Sequence, residues 1–444
     1  NQVSSFGGDV PQIPVCSGQS DADFEEASIT REKTEMFFKR LALSSVLAIV
    51  AGGAFAACEI NDRVSIVGNE FPAIQTVGAG AAECTGGEVT SNLTADHQKV
   101  NVAGMQGNPA EYTAVIDNNS VLTSMLNEDL IRPLNDLVEK HGASLKQNQL
   151  IVIDGDIMAV GFMANAQHLV YRADVLERIG ADVPSSYEEL LEAAKMIRDQ
   201  GIMENPVGGA YASGWNLATE FINMYLGHGG DFYKPGTADL TIDNAKGVAT
   251  LTMMKALSEY MNPDFLTHDS NATNAEYRAG NVALMNMWGS RAATMLDAEG
   301  IPQEVKDGFA IASPMTVGGD GTLATTLWWD GFSIAKNISD AEAEASFIAL
   351  VHAIRPEILG DDDTAKQAVW LIDGYKPTEA AVGVFAAAGG KSKPYPSLPQ
   401  QPLLHSALGA ELSDFMQGKE SAEQALDDIT AAYNAAAKEK GLLD

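Results

Sequence analysis

The segment HLVYRADVLERIGADVPSSYEEL, residues 168–190, shows the clearest local structure in the sequence. Its middle part, Ala173 to Ile179, predicts a helix that ends at Gly180, because glycine readily adopts the left-handed conformation with which helices often end. Ser185-Ser186 followed by Tyr187-Glu188-Glu189 has the residues of a helix N-terminus and predicts a second helix. These two helices are the starting point for the rest of the chain.

Outside this segment, strand-like and helix-like stretches alternate. Strands are predicted at Arg63–Val67, Lys99–Ala103, Leu150–Ile153, Met158–Met163, Asn281–Met287 and Leu327–Ala335. Helices are predicted from Pro72 to about Ala82, and at Glu111–Leu126, Asp243–Tyr260, Ser339–Ile354 and Leu412–Glu439. Repetition of strand, loop and helix is typical of a parallel or mixed sheet with helices on both faces. The predicted fold class is therefore α/β.

The composition is that of an ordinary globular protein, since 45% of the 444 residues are hydrophobic and 20% are charged. This length is sufficient for two or three domains. The 60 acidic residues outnumber the 28 Lys and Arg residues, so that the formal net charge is −32. Such an acidic surface repels phosphate backbones and anionic lipids, which excludes nucleic-acid binding and membrane-surface binding.

Residues 36–56 have the pattern of a secretory signal peptide. The sequence MFFKR, residues 36–40, is a short basic start, residues 41–53 are apolar or small, and Ala54-Phe55-Ala56 matches the pattern that signal peptidase recognises. The apolar stretch is shorter than the ~20 residues that a transmembrane helix needs. We expect Met36 to be the true start, residues 1–35 to be leader sequence, and Ala57 to be the first mature residue.

Two cysteines remain in the mature chain, because Cys16 falls in the predicted leader. An even pair in an exported protein is interpreted as one disulfide, Cys58–Cys84, which would tie the mature N-terminus to the first helix. Alternatively, Cys58 carries a lipid anchor, since Phe55-Ala56-Ala57-Cys58 weakly resembles a lipobox. Phe is a poor residue at the first position of that motif, and Cys84 would be left unpaired.

The common motifs of catalysis are missing from the sequence. It contains no HExxH, no GxSxG and no GxxxxGK[ST], and its seven His residues form no i, i+4 pair suited to a metal. Asp154-Gly155-Asp156 lacks the other ligands of a calcium loop and is interpreted as a turn between two strands. We therefore expect no catalytic residue, no metal and no cofactor.

Tryptophans lie beside glycines at the predicted ends of helices and strands. Trp215, Trp288 and the pair Trp328-Trp329 all have this placement. Aromatic faces are platforms for sugar rings, and neighbouring polar side chains can bond to hydroxyl groups. Each tryptophan taken alone could be a core residue, but their shared placement favours a sugar-binding site.

Three segments, taken in order, resemble the extracellular solute-binding proteins of sugar-type ABC importers, relatives of the maltose and glycerol-phosphate binding proteins. They are residues 168–190, YRAGNVALMNMWGS at 277–290, and WWDGFSIAK at 328–336 together with residues 341–354. The resemblance covers essentially all of residues 58–444. It implies a periplasmic binding protein fold of type II, with two α/β lobes that close like a hinge and are joined by three crossings near Val160, Trp329 and Gly374. The N-terminal lobe would comprise residues 57–160 and 330–374, and the C-terminal lobe residues 161–329 and 375–444.

The resemblance also implies where a ligand binds, namely at the loops after the first two strands, at the crossings and at the tryptophan segments. At the matching positions the expected ligand-binding residues are Asn69, Glu70, Gln106, Asn108, Trp215, Trp288, Arg291, Trp329, Asp330 and Tyr375. Arg291 stands where many relatives have an aromatic residue. Its guanidinium could pair with an acidic or phosphorylated sugar, or it could bond to neutral hydroxyls or an internal carboxylate.

The function that the resemblance implies is that of a monomeric periplasmic protein. It would capture a mono- or oligosaccharide and deliver it to the permease subunits of an ABC importer in the inner membrane, and a sugar acid, sugar phosphate or polyol is an alternative ligand. The competing class is an exported carbohydrate-active enzyme, a glycosidase or a lyase, with Glu70 or Asp330 as its catalytic carboxylate. That class needs two carboxylates at catalytic separation or a metal, and the sequence shows neither pattern.

Overall fold

Two β-sheets organise the part of the chain that the computed structural model describes, residues 58–443. The predicted leader and signal peptide lie outside the described residues. The strands are β1 (Val64–Gly68), β2 (Val89–Leu93), β3 (Ala114–Asn118), β4 (Leu150–Ile153), β5 (Asp156–Asn165), β6 (Gln167–Arg172), β7 (Val207–Gly208), β8 (Leu284–Trp288), β9 (Phe309–Ala312), β10 (Trp328–Ile334) and β11 (Val369–Trp370). The larger sheet has the order β11-β5-β10-β3-β1-β2, with β4 paired to β5, and the smaller sheet has the order β7-β8-β6-β9.

Helices cover both sheets. They are α1 (Pro72–Ala81), α2 (His97–Met105), α3 (Asn119–Asn127), α4 (Asn135–His141), α5 (Ala173–Ile179), α6 (Tyr187–Asp199), α7 (Trp215–Gly227), α8 (Ala245–Ser258), α9 (Ser270–Arg278), α10 (Gly289–Ala292), α11 (Gln303–Gly308), α12 (Asp340–Ala353), α13 (Asp362–Ala365), α14 (Val382–Ala386), α15 (Gln401–Met416) and α16 (Ala422–Glu439). Both sheets are mixed: β1 is parallel to β2 and β3, whereas β10 is antiparallel to β3 and β5. The α/β class expected from the sequence is confirmed.

Each sheet has its own apolar core. Residues of the smaller sheet pack with α5 to α8, α15 and α16, and this core contains Phe221, Met285 and Leu408. The larger sheet has one core on each face, which is represented by Ile74 on one side and Met125 on the other. Because each sheet is buried by different helices, the molecule has two structural halves that meet along the ends of their strands.

The chain passes between the two sheets at segments of very different length. Ala166 alone separates β5 of the larger sheet from β6 of the smaller one, and Ala166 is completely buried. The return to the larger sheet spans residues 313–327, whose tip, residues 318–321, is exposed. The chain then leaves β11 for α14 to α16 on the side of the smaller sheet. The lobe boundaries stay a prediction, although Val160 lies within β5 and not at its end.

Most elements that were predicted from residues typical of helix starts and helix ends are confirmed. The helix of the opening segment spans Ala173–Ile179, and Gly180 follows it with a left-handed φ of 70°. The Ser186 side chain caps α6 by accepting a hydrogen bond from the Glu189 N–H. Ser339 and Glu342 form a reciprocal capping box at the start of α12. These caps work through local geometry, which is why the sequence reveals them.

Two elements near the start of the mature chain were predicted wrongly. The expected strand Lys99–Ala103 lies inside helix α2, and the expected helix Glu111–Leu126 begins only at Asn119, after strand β3. The buried face of α2 contains polar side chains, so its helical period is hidden. Strand β2 was missed because it is mostly exposed and has no apolar alternation.

The predicted disulfide joins Cys58 to Cys84, with Cα atoms 4.6 Å apart. It ties the first described residue to the segment that follows α1, and a neighbouring bridge between Glu59 and Thr85 continues this contact. A sulfur atom in a disulfide cannot also carry a thioether-linked lipid. Within residues 58–443, no helix has the length and the apolar character needed to cross a membrane.

Candidate ligand-binding site

A cleft of about 710 Å³, which includes space open to solvent, lies where the strand ends of the two sheets meet. Residues from both sheets line it: Asn69, Phe71, Ala95, His97, Gln98, Asn118, Asn165, Trp215, Asn216, Asp269, Ser270, Asn271, Trp288, Ser290, Arg291, Trp328 and Asp330. The lining is dominated by amides, aromatic rings and a few charged groups.

The larger sheet contributes the carboxyl ends of its parallel strands, the usual place for ligands in α/β proteins. Asn69 and Phe71 follow β1, His97 begins the helix after β2, and Asn118 ends β3. The Asn118 side chain caps α3 by accepting hydrogen bonds from two backbone N–H groups. Helices α1 and α2 have no such side-chain cap, and α1 begins with Pro72, which has no N–H.

The smaller sheet contributes residues at the end of β8 and at helix N-termini. Trp288 ends β8, and Arg291 lies in the short helix α10 that follows. Trp215 begins α7 directly after Gly214, whose φ of 97° is accessible mainly to glycine. Asp269 caps α9 through a 2.8 Å hydrogen bond from the Ala272 N–H. The local backbone therefore fixes each of these side chains at the cleft.

The tryptophans of the cleft pack against one another. Trp328 meets Trp288 and Trp215 edge-on, with ring centroids 5.8 and 5.5 Å apart. Tyr395 lies 4.5 Å from Trp328, and His405 stacks on one face of Trp215 at 5.1 Å. Trp328 and Trp288 are only 3% and 8% exposed, whereas Trp215 is half-buried. Trp215 is thus the tryptophan with the most surface available to a ligand.

Arg291 is the single cationic residue among those that line the described cleft. Its guanidinium lies 4.5 Å above the ring of Phe71 and makes no hydrogen bond or ion pair with any residue of 58–443. Burial lowers the pKa of Arg291 to about 10, and the charges of Asp269, Asp330 and Glu70 oppose this shift. The group stays protonated, with its N–H donors free for a ligand.

Asp330 is a buried carboxylate of the cleft whose side chain, like that of Arg291, has no hydrogen-bond partner among the described residues. It is 8% exposed, and within the described chain its side chain accepts no hydrogen bond. Burial raises the pKa of Asp330 to about 7, against the influence of Arg291. Behind it, burial raises the pKa of Asp117 to about 8, although the Ser333 hydroxyl donates a 2.7 Å hydrogen bond to that carboxyl. Asp330 therefore titrates near neutral pH at the wall of the cleft.

His97 is a cleft residue that the sequence did not reveal. It is 2% exposed, and neither ring nitrogen has a hydrogen-bond partner among the described residues. Burial lowers its pKa to about 4, so the imidazole is neutral at pH 7 and offers one donor and one acceptor. The sequence did not single it out because it is one of seven scattered histidines and stands just before a segment that was interpreted as a strand.

A buried polar network supports the cleft from the side of the smaller sheet. The Trp328 Nε1–H donates to the Thr326 hydroxyl at 2.6 Å, and that hydroxyl donates to Asn223 Oδ1 at 2.7 Å. Asn223 donates to the Gln167 Oε1, and Gln167 donates to the buried Glu220. The network thus links the indole of Trp328 to the residue directly after the Ala166 crossing.

A second link spans the two sheets at the cleft. Asn165 ends β5 and donates a 2.9 Å hydrogen bond to the Ser290 hydroxyl of α10. The Asn165 Oδ1 also accepts a hydrogen bond from the Ser290 N–H at 3.3 Å. These contacts keep the ends of β5 and β8 together, and they hold the neighbouring Arg291 at the cleft.

Five of the ten expected ligand-binding residues line the cleft, namely Asn69, Trp215, Trp288, Arg291 and Asp330. Glu70 lies close enough to act on the charge of Arg291. Gln106 and Asn108 are exposed beyond the C-terminus of α2, roughly 12 Å from its cleft end. Tyr375 packs among apolar residues outside the cleft lining.

Trp329 is the remaining expected residue, and it faces away from the cleft. Successive side chains of a strand point to opposite faces, so Trp328 and Asp330 share one face of β10 and Trp329 lies on the other. Trp329 packs against the core that contains Met125. The tryptophan of this strand that lines the cleft is therefore Trp328. No group of three or more His, Cys, Asp or Glu residues in the described chain could hold a metal ion.

This chain belongs to the bacterial extracellular solute-binding protein family, whose model matches residues 88–358. It is similar to a probable ABC transporter-binding protein of Deinococcus radiodurans, with 28% identity over 45% of this chain and 47% of that protein. A probable sugar-binding periplasmic protein of Rhizobium meliloti is 28% identical over 29% of this chain and 31% of that protein. The matches thus span less than half the length of these curated relatives.

The fold is that of a solved ABC transporter solute-binding protein from Agrobacterium radiobacter in complex with ribitol. The TM-score is 0.73 at 18% sequence identity, and the alignment covers 85% of this chain and 99% of that one. The type II two-lobe architecture expected from the sequence is therefore confirmed. The family and this structural neighbour are binding proteins rather than enzymes.

Proposed function

We propose that this protein is the substrate-capturing component of an ABC importer, that it binds a carbohydrate or polyol in the cleft and that it delivers this ligand to membrane permease subunits. The observation that carries the proposal is the cleft itself, where Trp215, Arg291 and Asp330 converge with several amides from both sheets. An aromatic face with free donors and acceptors around it is the chemistry of a sugar site.

The cellular setting is part of the same proposal. The protein is exported through the signal peptide of residues 36–56 and acts in the periplasm as a monomer, without catalytic turnover of its ligand. Support comes from the family and from the Rhizobium relative, which is named a periplasmic protein. A disulfide between Cys58 and Cys84 suits an oxidising compartment.

A thermal-shift screen of the protein from residue 57 onward tests the proposal. Neutral sugars, polyols, sugar acids, sugar phosphates and disaccharides are added one at a time, and a ligand of the native state raises the melting temperature. Isothermal titration calorimetry then gives the affinity of each hit, and chromatography after incubation shows whether the ligand is intact. Absence of any shift, or breakdown of a hit, would contradict the proposal.

Two tryptophan variants provide a matched comparison. Trp215→Ala should weaken binding by about 1–3 kcal/mol, or roughly 5- to 150-fold, because the indole is the accessible aromatic platform of the cleft. Trp329→Ala removes the same side chain from a core outside the cleft, so it should lower the melting temperature and leave the affinity unchanged. Equal effects of both changes on affinity would show that the cleft is not the binding site.

A further inference from the structure

Acidic groups outnumber basic groups at the cleft. Arg291 is the one cation of the lining, while Asp269 and Asp330 line the same cleft and Glu70 lies within electrostatic reach of Arg291. His97 is buried and neutral. Even with a proton on Asp330, two carboxylates face one guanidinium. A ligand that carries a negative charge therefore enters a site that is already negative, in a protein of formal charge −32.

Arg291 and Asp330 are both unsatisfied within the described chain. The guanidinium has donors without acceptors, and the carboxylate has acceptors without donors. Hydroxyl groups satisfy both, because each can accept from Arg291 or donate to Asp330. A ligand carboxylate or phosphate would satisfy Arg291 alone and would bring a like charge toward Asp330. The surrounding amides of Asn69 and Asn118 also suit neutral hydroxyl partners.

The aromatic surface limits the length of the ligand. Trp288 and Trp328 pack against each other and are almost completely buried, Tyr395 also contacts Trp328, and His405 covers one face of Trp215. The remaining face of Trp215 can stack on one sugar ring. Trp329 and Tyr375, which could have extended an aromatic path, lie outside the cleft.

We infer that the cleft selects a neutral hydroxylated ligand of a single sugar unit, either a monosaccharide or an acyclic polyol of similar size, over sugar acids, sugar phosphates and oligosaccharides. This inference rests on the proposed function and narrows its ligand class. Charge selection comes from the carboxylates around Arg291, and size selection comes from the single accessible face of Trp215.

Calorimetry with matched ligand series tests charge and size separately. Glucose, sorbitol, glucuronate, glucose 6-phosphate and maltose form one series, and the galactose and mannose series are built in the same way. We expect the neutral single unit of the preferred series to bind at least 10-fold more tightly than its acid, its phosphate or its disaccharide. Tighter binding of an acid or phosphate would overturn the charge selection, and tighter binding of a disaccharide would overturn the size selection.

The near-isosteric variant Asp330→Asn gives a readout that a structural role would not produce. It should weaken binding of the neutral ligand at least 10-fold and strengthen binding of the corresponding acid, because a like charge is removed. Arg291→Met should weaken both, and circular dichroism verifies that each variant is folded. Weaker binding of the acid in Asp330→Asn would refute the inference. Binding of an acid alone would refute only the inference, whereas binding of no carbohydrate at all would refute the proposed function with it.

Discussion

Ligand affinity should depend on pH through Asp330. Burial places the pKa of this carboxyl at about 7 in the free protein, and a ligand hydroxyl that donates to the carboxylate stabilises its ionised form. Binding therefore lowers the pKa and releases a proton at pH values below about 7. The association constant should rise with pH and level off above the pKa of the free state.

The magnitude follows from the fraction of Asp330 that is ionised. At pH 5, two pH units below a pKa of about 7, about 1% of the carboxyl is charged, so the affinity should be lower than at pH 8 by up to about 100-fold. At pH 6, binding should release about 0.9 proton per ligand. His97 titrates below this range, since its pKa is about 4. Asp117 has a pKa of about 8 and titrates within it.

Calorimetry in buffers of different ionisation enthalpy measures the released proton directly, and titrations from pH 5 to 8.5 give the affinity profile. The variant Asp330→Asn should bind weakly at every pH and release no proton. The variant Asp117→Asn distinguishes the titration of Asp117 from that of Asp330. Its ligand affinity should still change with pH around pH 7. An affinity that is constant over this range, with no proton release by the wild-type protein at pH 6, would refute the role given to Asp330.

Two further predictions concern stability. Burial raises the pKa of Glu220 to about 7 from 4.5, so the folded state binds this proton more tightly and the free energy of unfolding should fall as pH rises from about 4.5 through 7, by about 3 kcal/mol from this residue. Urea unfolding at pH 5 and pH 8 should show a smaller loss in Glu220→Gln than in the wild-type protein, and equal losses would contradict the shift. Replacement of Cys58 and Cys84 by Ser opens a loop with a sequence separation of 26 residues, and in the chain-entropy model it should lower the free energy of unfolding by about 3.5 kcal/mol. The reduced wild-type protein should match the double variant in denaturant unfolding, and a variant as stable as the oxidised protein would show that the bond does not restrict the unfolded chain.

The sequence predicted the elements whose signals are local. Ser186 and Ser339 cap helices through their own hydrogen bonds, and Gly180 ends a helix through its backbone conformation. The prediction for the region of helix α2 was wrong for the opposite reason. Its buried face contains His97 and Asn101, so its apolar period is broken, and of these two residues His97 lines the cleft.

The candidate site was predicted in part for similar reasons. Trp215 was found because it follows a glycine-containing loop at the start of a helix, whereas Arg291 was found through the resemblance to the solute-binding family. The choice between Trp328 and Trp329 depends on which face of β10 is turned toward the smaller sheet, and this is decided by tertiary packing. The proximity of Asp330 to Arg291 likewise depends on how β10 and α10 pack together, which no local pattern reports.

The unequal crossings have a practical consequence for making a ligand reporter from this protein. A fluorescent domain inserted at Ala166 would have to separate two directly consecutive strands and expose a completely buried residue. The exposed tip at residues 318–321 lies within the longer crossing, and its glycines adopt left-handed φ values that an inserted flexible linker accommodates readily. Insertion after Gly319 would therefore attach an optical signal to the connection between the two halves without cutting either sheet.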